Sequence, residues 1–187
     1  LYALGSSAYY MGAAGTQTAA FAIGGLVQPS KTTTQIYNGS SWTAAPSLPT
    51  GVHANRGSGT TSATLSASAA PPAPRSISME YDSSSWSTGN PTVSTGQAYR
   101  GVSSLGTQTD SLLWGGEPFV GATEHYDGTN WSLEGATLGI ARSGIGGGGT
   151  GTTGLAISGE SPAGTPANNA TEEFTASFIG AKTISSS

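Results

Sequence analysis

Few side chains in this chain of 187 residues have the chemistry of catalysis or metal binding. The chain has two histidines, His53 and His125, and no cysteine, so thiolate metal sites and disulfides are excluded. His125 precedes Tyr126 on a predicted strand, where we interpret it as the outward-facing neighbour of a core aromatic residue. Glu172 and Glu173 would point to opposite faces of a strand, so they cannot converge on a metal or a glycosidic bond.

Two further patterns resemble functional motifs but have structural explanations. The segment 144–149 satisfies GxGxxG, yet a dinucleotide site needs a helix directly after that loop, and no helix is predicted there. Asp82 and Asp127 fall in turn sequences, where an aspartate accepts hydrogen bonds from its own backbone. We therefore predict a protein that is not an enzyme and has no catalytic residues, no cofactor and no metal.

The composition narrows the possible partners. Only 9% of the residues are charged and the net charge is -4, so the chain lacks the basic surface that nucleic-acid binding requires. No apolar run approaches the roughly 20 residues needed to cross a bilayer, and we predict no membrane insertion. Abundant Gly, Ser and Thr could indicate a disordered linker, but evenly spaced aromatic residues favour a folded domain.

An internal repeat of about 45 residues organises the chain. Its first marker is a polar tetrad of the GTQT type that begins at Gly15, Gly59, Gly106 and Gly151. Its second marker is an aromatic series, namely Tyr37, Tyr81, Tyr126 and Phe174. Its third marker is a tryptophan five residues after each tyrosine, namely Trp42, Trp86 and Trp131. Because the three markers keep one phase, each repeat is predicted to be one structural unit.

A period of this length fits both four-stranded propeller blades and two-helix solenoid repeats. Turn residues interrupt each copy every eight to twelve positions, and no helical stripe of apolar residues is present, so strands are favoured. In the third copy the predicted strands are 94–105, 110–114, 122–126 and 130–133. The sequence therefore predicts an all-β fold with four antiparallel strands in each of four repeats.

The repeat resembles the kelch motif of β-propellers, in which a glycine pair is followed by a tyrosine, a tryptophan and an arginine. The matching residues are Gly24, Gly25, Tyr37 and Trp42 in copy one, Tyr81 and Trp86 in copy two, and Gly115, Gly116, Tyr126, Trp131 and Arg142 in copy three. The resemblance implies a kelch-like β-propeller that forms one domain over 1–187, with blades at about 1–49, 50–93, 94–138 and 139–187.

The number of blades leaves two arrangements open. Four blades can form a closed ring, or they can form an arc that needs further blades or a neighbouring subunit to cover its edges. Since the chain begins at Leu1, it could also be the C-terminal part of a longer protein. In either arrangement we predict that Trp42, Trp86 and Trp131 pack between adjacent blades, and that Trp114 fills the core.

Recognition residues are expected in the loops that differ most between copies, namely 26–31, 70–75, 117–121 and 160–166. An aromatic face beside short polar groups is typical of glycan recognition, so Glu117 and Phe119 are the first candidates for ligand contact. Tyr9, Tyr10 and Tyr99 form a second candidate set on the inner segments.

The chain also resembles kelch-like repeat proteins encoded by marine bacteriophages, which share its GTQT, GG, EHYDG and NW elements and close on a final strand, here 181–184. This resemblance implies a non-enzymatic protein of the virion, as a tail fibre, spike or capsid-surface component. The partners would then be other virion proteins, further copies of the chain or a host surface glycan. The alternatives are a cellular kelch-like module for protein–protein binding and, more distantly, a secreted carbohydrate-active enzyme.

Overall fold

A computed structural model of the chain describes residues 4–5, 7–94, 101–102, 106–162 and 169–175. All regular structure in these residues is β-structure, arranged in four antiparallel sheets. Among the described residues no helix has the length and apolar character needed to cross a membrane. The prediction of an all-β fold is therefore confirmed, and the sheets are consistent with the blades of a β-propeller.

In each sheet the strands lie side by side in chain order, as in a simple meander. Sheet 1 contains β1 (Gly12–Thr16), β2 (Ala19–Ile23), β3 (Thr34–Tyr37) and β4 (Trp42–Ala45). Sheet 2 contains β5 (Arg56–Gly59), β6 (Thr64–Ala67), β7 (Ser78–Tyr81) and β8 (Trp86–Thr88). Sheet 3 contains β9 (Gly101–Val102), β10 (Ser111–Trp114), β11 (Thr123–Tyr126) and β12 (Trp131–Leu133). Sheet 4 contains β13 (Gly146–Gly149), β14 (Thr153–Ile157) and β15 (Thr171–Thr175).

The sheets follow the sequence repeat. Each one lies inside one of the four predicted blade ranges, and the strands β10, β11 and β12 each begin one residue later than predicted. The predicted strand 94–105 is described only in part, where β9 occupies two of its residues. The predicted strand 181–184 lies outside the described residues.

The turns that join the third and fourth strands explain why a tryptophan follows the tyrosine by five residues in each of the first three repeats. The pairs Tyr37–Trp42, Tyr81–Trp86 and Tyr126–Trp131 are direct partners across these hairpins. The first turn residue after each tyrosine is Asn38, Asp82 or Asp127, and its side chain accepts hydrogen bonds from the next backbone N–H groups. The predicted turn role of the two aspartates is confirmed.

These hydrogen bonds also set the charge state of the turn. The Ser84 hydroxyl and the backbone N–H groups of Ser84 and Ser85 donate to the ionised carboxylate of Asp82 and lower its pKa to about 2. The backbone N–H groups of Asn130 and Thr129 lower the pKa of Asp127 in the same way. Each carboxylate is thus a structural acceptor that is ionised at neutral pH.

The four sheets are stacked in sequence around their first strands. The strands β1, β5, β9 and β13 are successive neighbours, and three apolar clusters lie between adjacent sheets. We call these clusters junction 1–2, junction 2–3 and junction 3–4. Among the described residues, no comparable buried cluster joins sheet 4 to sheet 1.

Junction 1–2 is built from aromatic rings. Phe21 of sheet 1 lies 5.0 Å from the ring of Tyr81 and 5.5 Å from the ring of Trp86, both in edge-on geometry. Ile23 and Met79 complete the contact and are fully buried. Edge-on aromatic pairs add to the hydrophobic stabilisation from the buried area. Trp86 therefore packs against the preceding sheet.

Junction 2–3 repeats this plan with aliphatic partners. Tyr126 and Trp131 of sheet 3 pack on Leu65 and Ala67 of sheet 2. The Tyr126 hydroxyl donates a hydrogen bond to Glu80, which lies on sheet 2. Burial, followed by this hydrogen bond to the carboxylate, raises the pKa of Tyr126 well above its ordinary value. The phenol therefore stays protonated and holds the two sheets together.

Junction 3–4 uses a different tryptophan. Trp114 is buried and packs with Ile145, Ala156 and Phe174. A Cβ placed on Gly147 would lie 2.2 Å from the Trp114 ring. Because glycine has no side chain, the indole ring can rest directly on the backbone of β13.

Candidate recognition site

The meander places the loops of all four sheets at two edges. At one edge, which we call the upper rim, β2, β6, β10 and β14 end and the segments that connect the sheets enter. The short turns after β3, β7 and β11 lie at the opposite edge. Three of the variable loops, 26–31, 70–75 and 117–121, belong to the upper rim, as do the described residues 160–162 of the fourth. Variable loops on a rigid scaffold commonly carry recognition residues.

Glycine pairs at the ends of β2 and β10 let the connecting segments approach closely. A Cβ on Gly24 would lie 2.5 Å from the carbonyl oxygen of Val52, and a Cβ on Gly115 would lie 2.6 Å from that of Arg142. The N–H of the second glycine in each pair donates to the same carbonyl oxygen, at 2.8 and 2.9 Å. All four glycines have positive φ. In sheets 1 and 3 a side chain at the first position would therefore collide with the connecting segment.

Sheets 2 and 4 keep the positive φ at the first position without the full glycine pair, and at the second position Gly159 has it while Ala69 does not. Ser68 and Ser158 occupy the first position of the pair, with φ of 60° and 58°. The left-handed region costs a residue with a side chain on the order of 1–2 kcal/mol. The contacts at the upper rim therefore impose this conformation on both serines.

The connecting segments pair with the loops that follow the glycines. Tyr9 and Leu26 form an isolated bridge, as do Ser143 and Glu160. Tyr10 directly follows the first bridge and has a φ of 57°, and its carbonyl oxygen accepts a hydrogen bond of 2.7 Å from the next connecting segment. Tyr10 is thus held by its backbone while its side chain is more than half exposed.

Four of these segments line a cavity of about 410 Å³. Its lining residues are Tyr10, Glu117, Phe119, Ser143, Gly144 and Glu160. They come from the segment before β1, the loop after β10, the segment before β13 and the start of the loop after β14. The volume lies within the range of known small-ligand sites, which is roughly 300–1,000 Å³.

The structure brings together the first candidates from the sequence, Glu117 and Phe119, with Tyr10 from the second set. Tyr9 does not line the cavity, but its ring packs edge-on against Tyr10 at 5.3 Å. Tyr99 lies outside the described residues. Glu160 also lines the cavity, although the sequence only indicated its loop.

The other two variable loops contribute less. No residue of 26–31 or of 70–75 lines the cavity. Arg75 reaches the site indirectly, because its guanidinium donates a hydrogen bond of 3.4 Å to the carbonyl oxygen of Glu117. Of the loop 160–166, only residues 160–162 are described. The cavity is therefore a feature of sheets 3 and 4 and of the segment that enters sheet 1.

The lining combines apolar rings with acidic and hydroxyl groups. Two aromatic rings can stack on the apolar face of a ring-shaped ligand, while two carboxylates and the hydroxyls of Ser143 and Tyr10 can bind its polar edge. No lysine, arginine or histidine is among the lining residues. Among the described residues, no group of three or more His, Cys, Asp or Glu is placed to hold a metal ion. The arrangement is suited to binding a neutral or cationic polar ligand.

Both histidines lie away from this cavity. His53 is buried, and its Nδ1 lies 2.9 Å from the Ser30 hydroxyl, which belongs to the loop of sheet 1. His125 is half-buried, and its Nε2 lies 2.7 Å from a carboxylate oxygen of Asp110. Each histidine therefore has a local structural partner.

One further set of polar residues was not recognised as a set from the sequence. Its members stand two positions before the tyrosine or phenylalanine of the repeat, at Tyr37, Tyr126 and Phe174. Gln35 accepts a hydrogen bond of 2.8 Å from the N–H of Gly5. Glu124 is fully buried and accepts hydrogen bonds from the N–H groups of Val93 and Ser94, at 2.8 and 3.1 Å. Glu172 accepts one of 2.5 Å from the N–H of Gly139 and pairs with the buried Arg142 at 2.6 Å.

These side chains hold the segments that enter sheets 1, 3 and 4. The signal in the sequence was the position itself, since Gln or Glu stands two residues before the aromatic residue in three of the four repeats. In sheet 3 the acceptor is the fully buried Glu124, and it satisfies two backbone N–H groups that would be costly to leave unpaired. The set positions the upper rim and does not line the cavity.

No protein-family model matches the chain, and no curated protein sequence matches it.

Proposed function

We propose that the chain is a kelch-like β-propeller module that recognises its ligand at the upper rim and catalyses no reaction. The phased repeat, the meander of each sheet and the succession of first strands β1, β5, β9 and β13 support the propeller. The kelch likeness rests on the glycine pairs and the Tyr–Trp pairs. In such a propeller the blades form a rigid support, and the loops that they carry at the upper rim differ from one blade to the next.

The observation that carries the recognition role is the cavity between Tyr10, Phe119, Glu117 and Glu160. Two aromatic rings and two carboxylates, from three segments that are far apart in the sequence, meet there. Sugar rings offer an apolar face and a polar edge, which fit this lining. A glycan is therefore the ligand class that we propose.

The proposed setting is the surface of a virus particle, as a tail fibre, spike or capsid-surface component of a bacteriophage. The likeness of the GTQT, EHYDG and NW elements to those of phage repeat proteins supports this setting. Few charges and many small hydroxyl residues suit a protein exposed outside the cell. In this role the upper rim would contact a host surface glycan or a neighbouring virion protein.

A glycan array tests the recognition role. We expect the 187-residue chain to bind a subset of bacterial surface glycans. The Phe119→Ala variant should bind about tenfold more weakly, because the loss of one aromatic contact costs on the order of 1–2 kcal/mol.

The matched control is Val27→Ala, which removes an exposed apolar side chain from the corresponding loop of sheet 1. It should leave binding unchanged. Absence of binding across the array, or equal loss in both variants, would contradict glycan recognition at the cavity. A neighbouring virion protein captured at the upper rim would instead support protein contact as the function.

A further inference from the structure

The outer face of sheet 1 has the side chains of a sheet junction but lacks the second half of one. Ile36 and Ala45 pack into junction 1–2, so strand alternation places Gln35, Trp42 and Ala44 on the opposite face. Trp42 is half-buried there. A groove of about 390 Å³ beside it is lined by uncharged residues, with Thr33 and Gln35 among them. We call this surface the aromatic face.

The outer face of sheet 4 has the complementary character. Gly154 and Ala156 face junction 3–4, so alternation places Leu155 and Ile157 on the opposite face. The exposed fraction of Ile157 is 43%, and Leu155 is half-buried. A groove of about 530 Å³ lies over this surface, and its only charged lining residue is Glu173. We call this surface the aliphatic face.

Each buried junction has an aromatic side from one sheet and an apolar side from the preceding sheet. The two open faces carry the residues that occupy these same repeat positions. The tryptophan at the position of Trp42 is Trp86 in sheet 2 and Trp131 in sheet 3, with exposed fractions of 7% and 5%. The apolar pair at the position of Leu155 and Ile157 is buried in every other sheet, as Phe21 and Ile23, Leu65 and Ala67, and Leu112 and Trp114.

The geometry of the aromatic face is also that of a buried junction. The rings of Tyr37 and Trp42 are 5.2 Å apart with an interplanar angle of 38°. The rings of Tyr81 and Trp86 in junction 1–2 are 5.3 Å apart with an angle of 41°. The aromatic face is therefore already shaped to receive a pair of aliphatic side chains.

We propose that the aromatic face of one chain docks on the aliphatic face of a second copy, which extends the stack of sheets from chain to chain. Both faces are accessible in the same described chain, so each can supply the half that the other lacks. Such a head-to-tail contact joins two different surfaces, as in heterologous assemblies. The only charged residue that lines either groove is Glu173, which lies directly opposite Leu155, as Glu80 lies opposite Leu65 beside junction 2–3.

The first test is the mass of the full chain in solution. Light scattering after size-exclusion chromatography should give at least twice the chain mass of 18.5 kDa at high concentration, with dissociation on dilution. Trp42→Arg and Ile157→Arg should each give a single-chain mass. Leu133→Arg, which changes an exposed side chain of β12 away from both faces, should associate as the unchanged protein does.

A mixing experiment distinguishes this pairing from any other. Trp42→Arg retains an intact aliphatic face and Ile157→Arg retains an intact aromatic face, so an equimolar mixture should form a heterodimer through one junction. Thermal melts check that each variant folds, and the milder Ile157→Thr should weaken association without the introduced charge.

A single-chain mass for the unchanged protein at every concentration would overturn the proposal, since sheets 1 and 4 would then close within one chain or stay separate. Association that survives Trp42→Arg, or variants that do not combine, would assign the contact to another surface. The inference uses the propeller architecture of the proposed function but not its ligand. The mass measurement and the glycan array can therefore fail independently.

Discussion

Trp86 and Trp42 occupy the same repeat position but have different surroundings. Both rings stack on the tyrosine across their hairpin with similar geometry. Trp86 is also covered by Phe21 of the preceding sheet, whereas no described sheet covers Trp42. The comparison shows that the hairpin fixes the shape of the aromatic pair, while the neighbouring sheet determines its burial. In repeat proteins stability is therefore the sum of terms within units and between neighbours.

The largest effect is expected from removing the ring that junction 1–2 buries. Trp86→Ala should lower the free energy of unfolding by about 3–5 kcal/mol, because it leaves a cavity beside Phe21 and Met79. Trp42→Ala, made in the Ile157→Arg background so that chains stay separate, should cost about 1–2 kcal/mol, since its ring is only half-buried. Urea denaturation followed by circular dichroism measures both values.

If the two substitutions lowered the free energy of unfolding equally, the proposed difference between Trp86 and Trp42 would be wrong. This result would mean that the hairpin pair, and not the contact between sheets, carries most of the stabilisation. A negligible cost for Trp86→Ala would contradict the role of this ring in joining sheets 1 and 2.

Junction 3–4 extends the comparison to a contact made by a different residue. Gly147→Ala should lower the free energy of unfolding by about 1–3 kcal/mol, because the added Cβ would lie 2.2 Å from the Trp114 ring. Gly146→Ala is the matched control on the same strand, since a Cβ there would lie 3.5 Å from the Ile157 carbonyl oxygen, which is an ordinary van der Waals contact. Thermal unfolding that ranks the two variants in the opposite order would show that Trp114 does not rest on β13.

Most of the fold could be predicted because its signals are local. Hairpin turns at Asn38, Asp82 and Asp127 are encoded by side chains that bind their own backbone, and the strands beside them end at turn residues. The glycine pairs are visible in the sequence because they recur at one position of the repeat, although the backbone that each pair approaches, at Val52 or Arg142, belongs to the segment that enters the next sheet. Such features recur in phase, so one well-preserved copy indicates the others.

The parts that could not be predicted depend on neighbours in space. The spacing of the aromatic residues predicts the same packing role for Trp42 as for Trp86. The arrangement of the sheets shows instead that, in the described chain, no sheet covers the face that carries Trp42. Glu124 reads as an ordinary strand residue, yet it is buried because the segment at Val93 turns towards it. Glu160 joins the cavity only because sheets 3 and 4 lie side by side.

The smallest effect is a pH dependence that belongs to junction 1–2 and has no counterpart on the outer faces. His53 is buried where the Ser30 loop of sheet 1 meets the segment that enters sheet 2, and burial lowers its pKa below the ordinary value of 6.5. The folded protein therefore binds fewer protons than the unfolded chain near that pH, so this contribution to stability is complete above about pH 6.5 and decreases as the pH falls below it. Urea denaturation between pH 7.5 and 5 should show a decline that His53→Asn reduces, because asparagine can still bind Ser30 but does not titrate. If the decline is the same in both proteins, other groups cause it, and protonation of His53 does not weaken the contact between sheets 1 and 2.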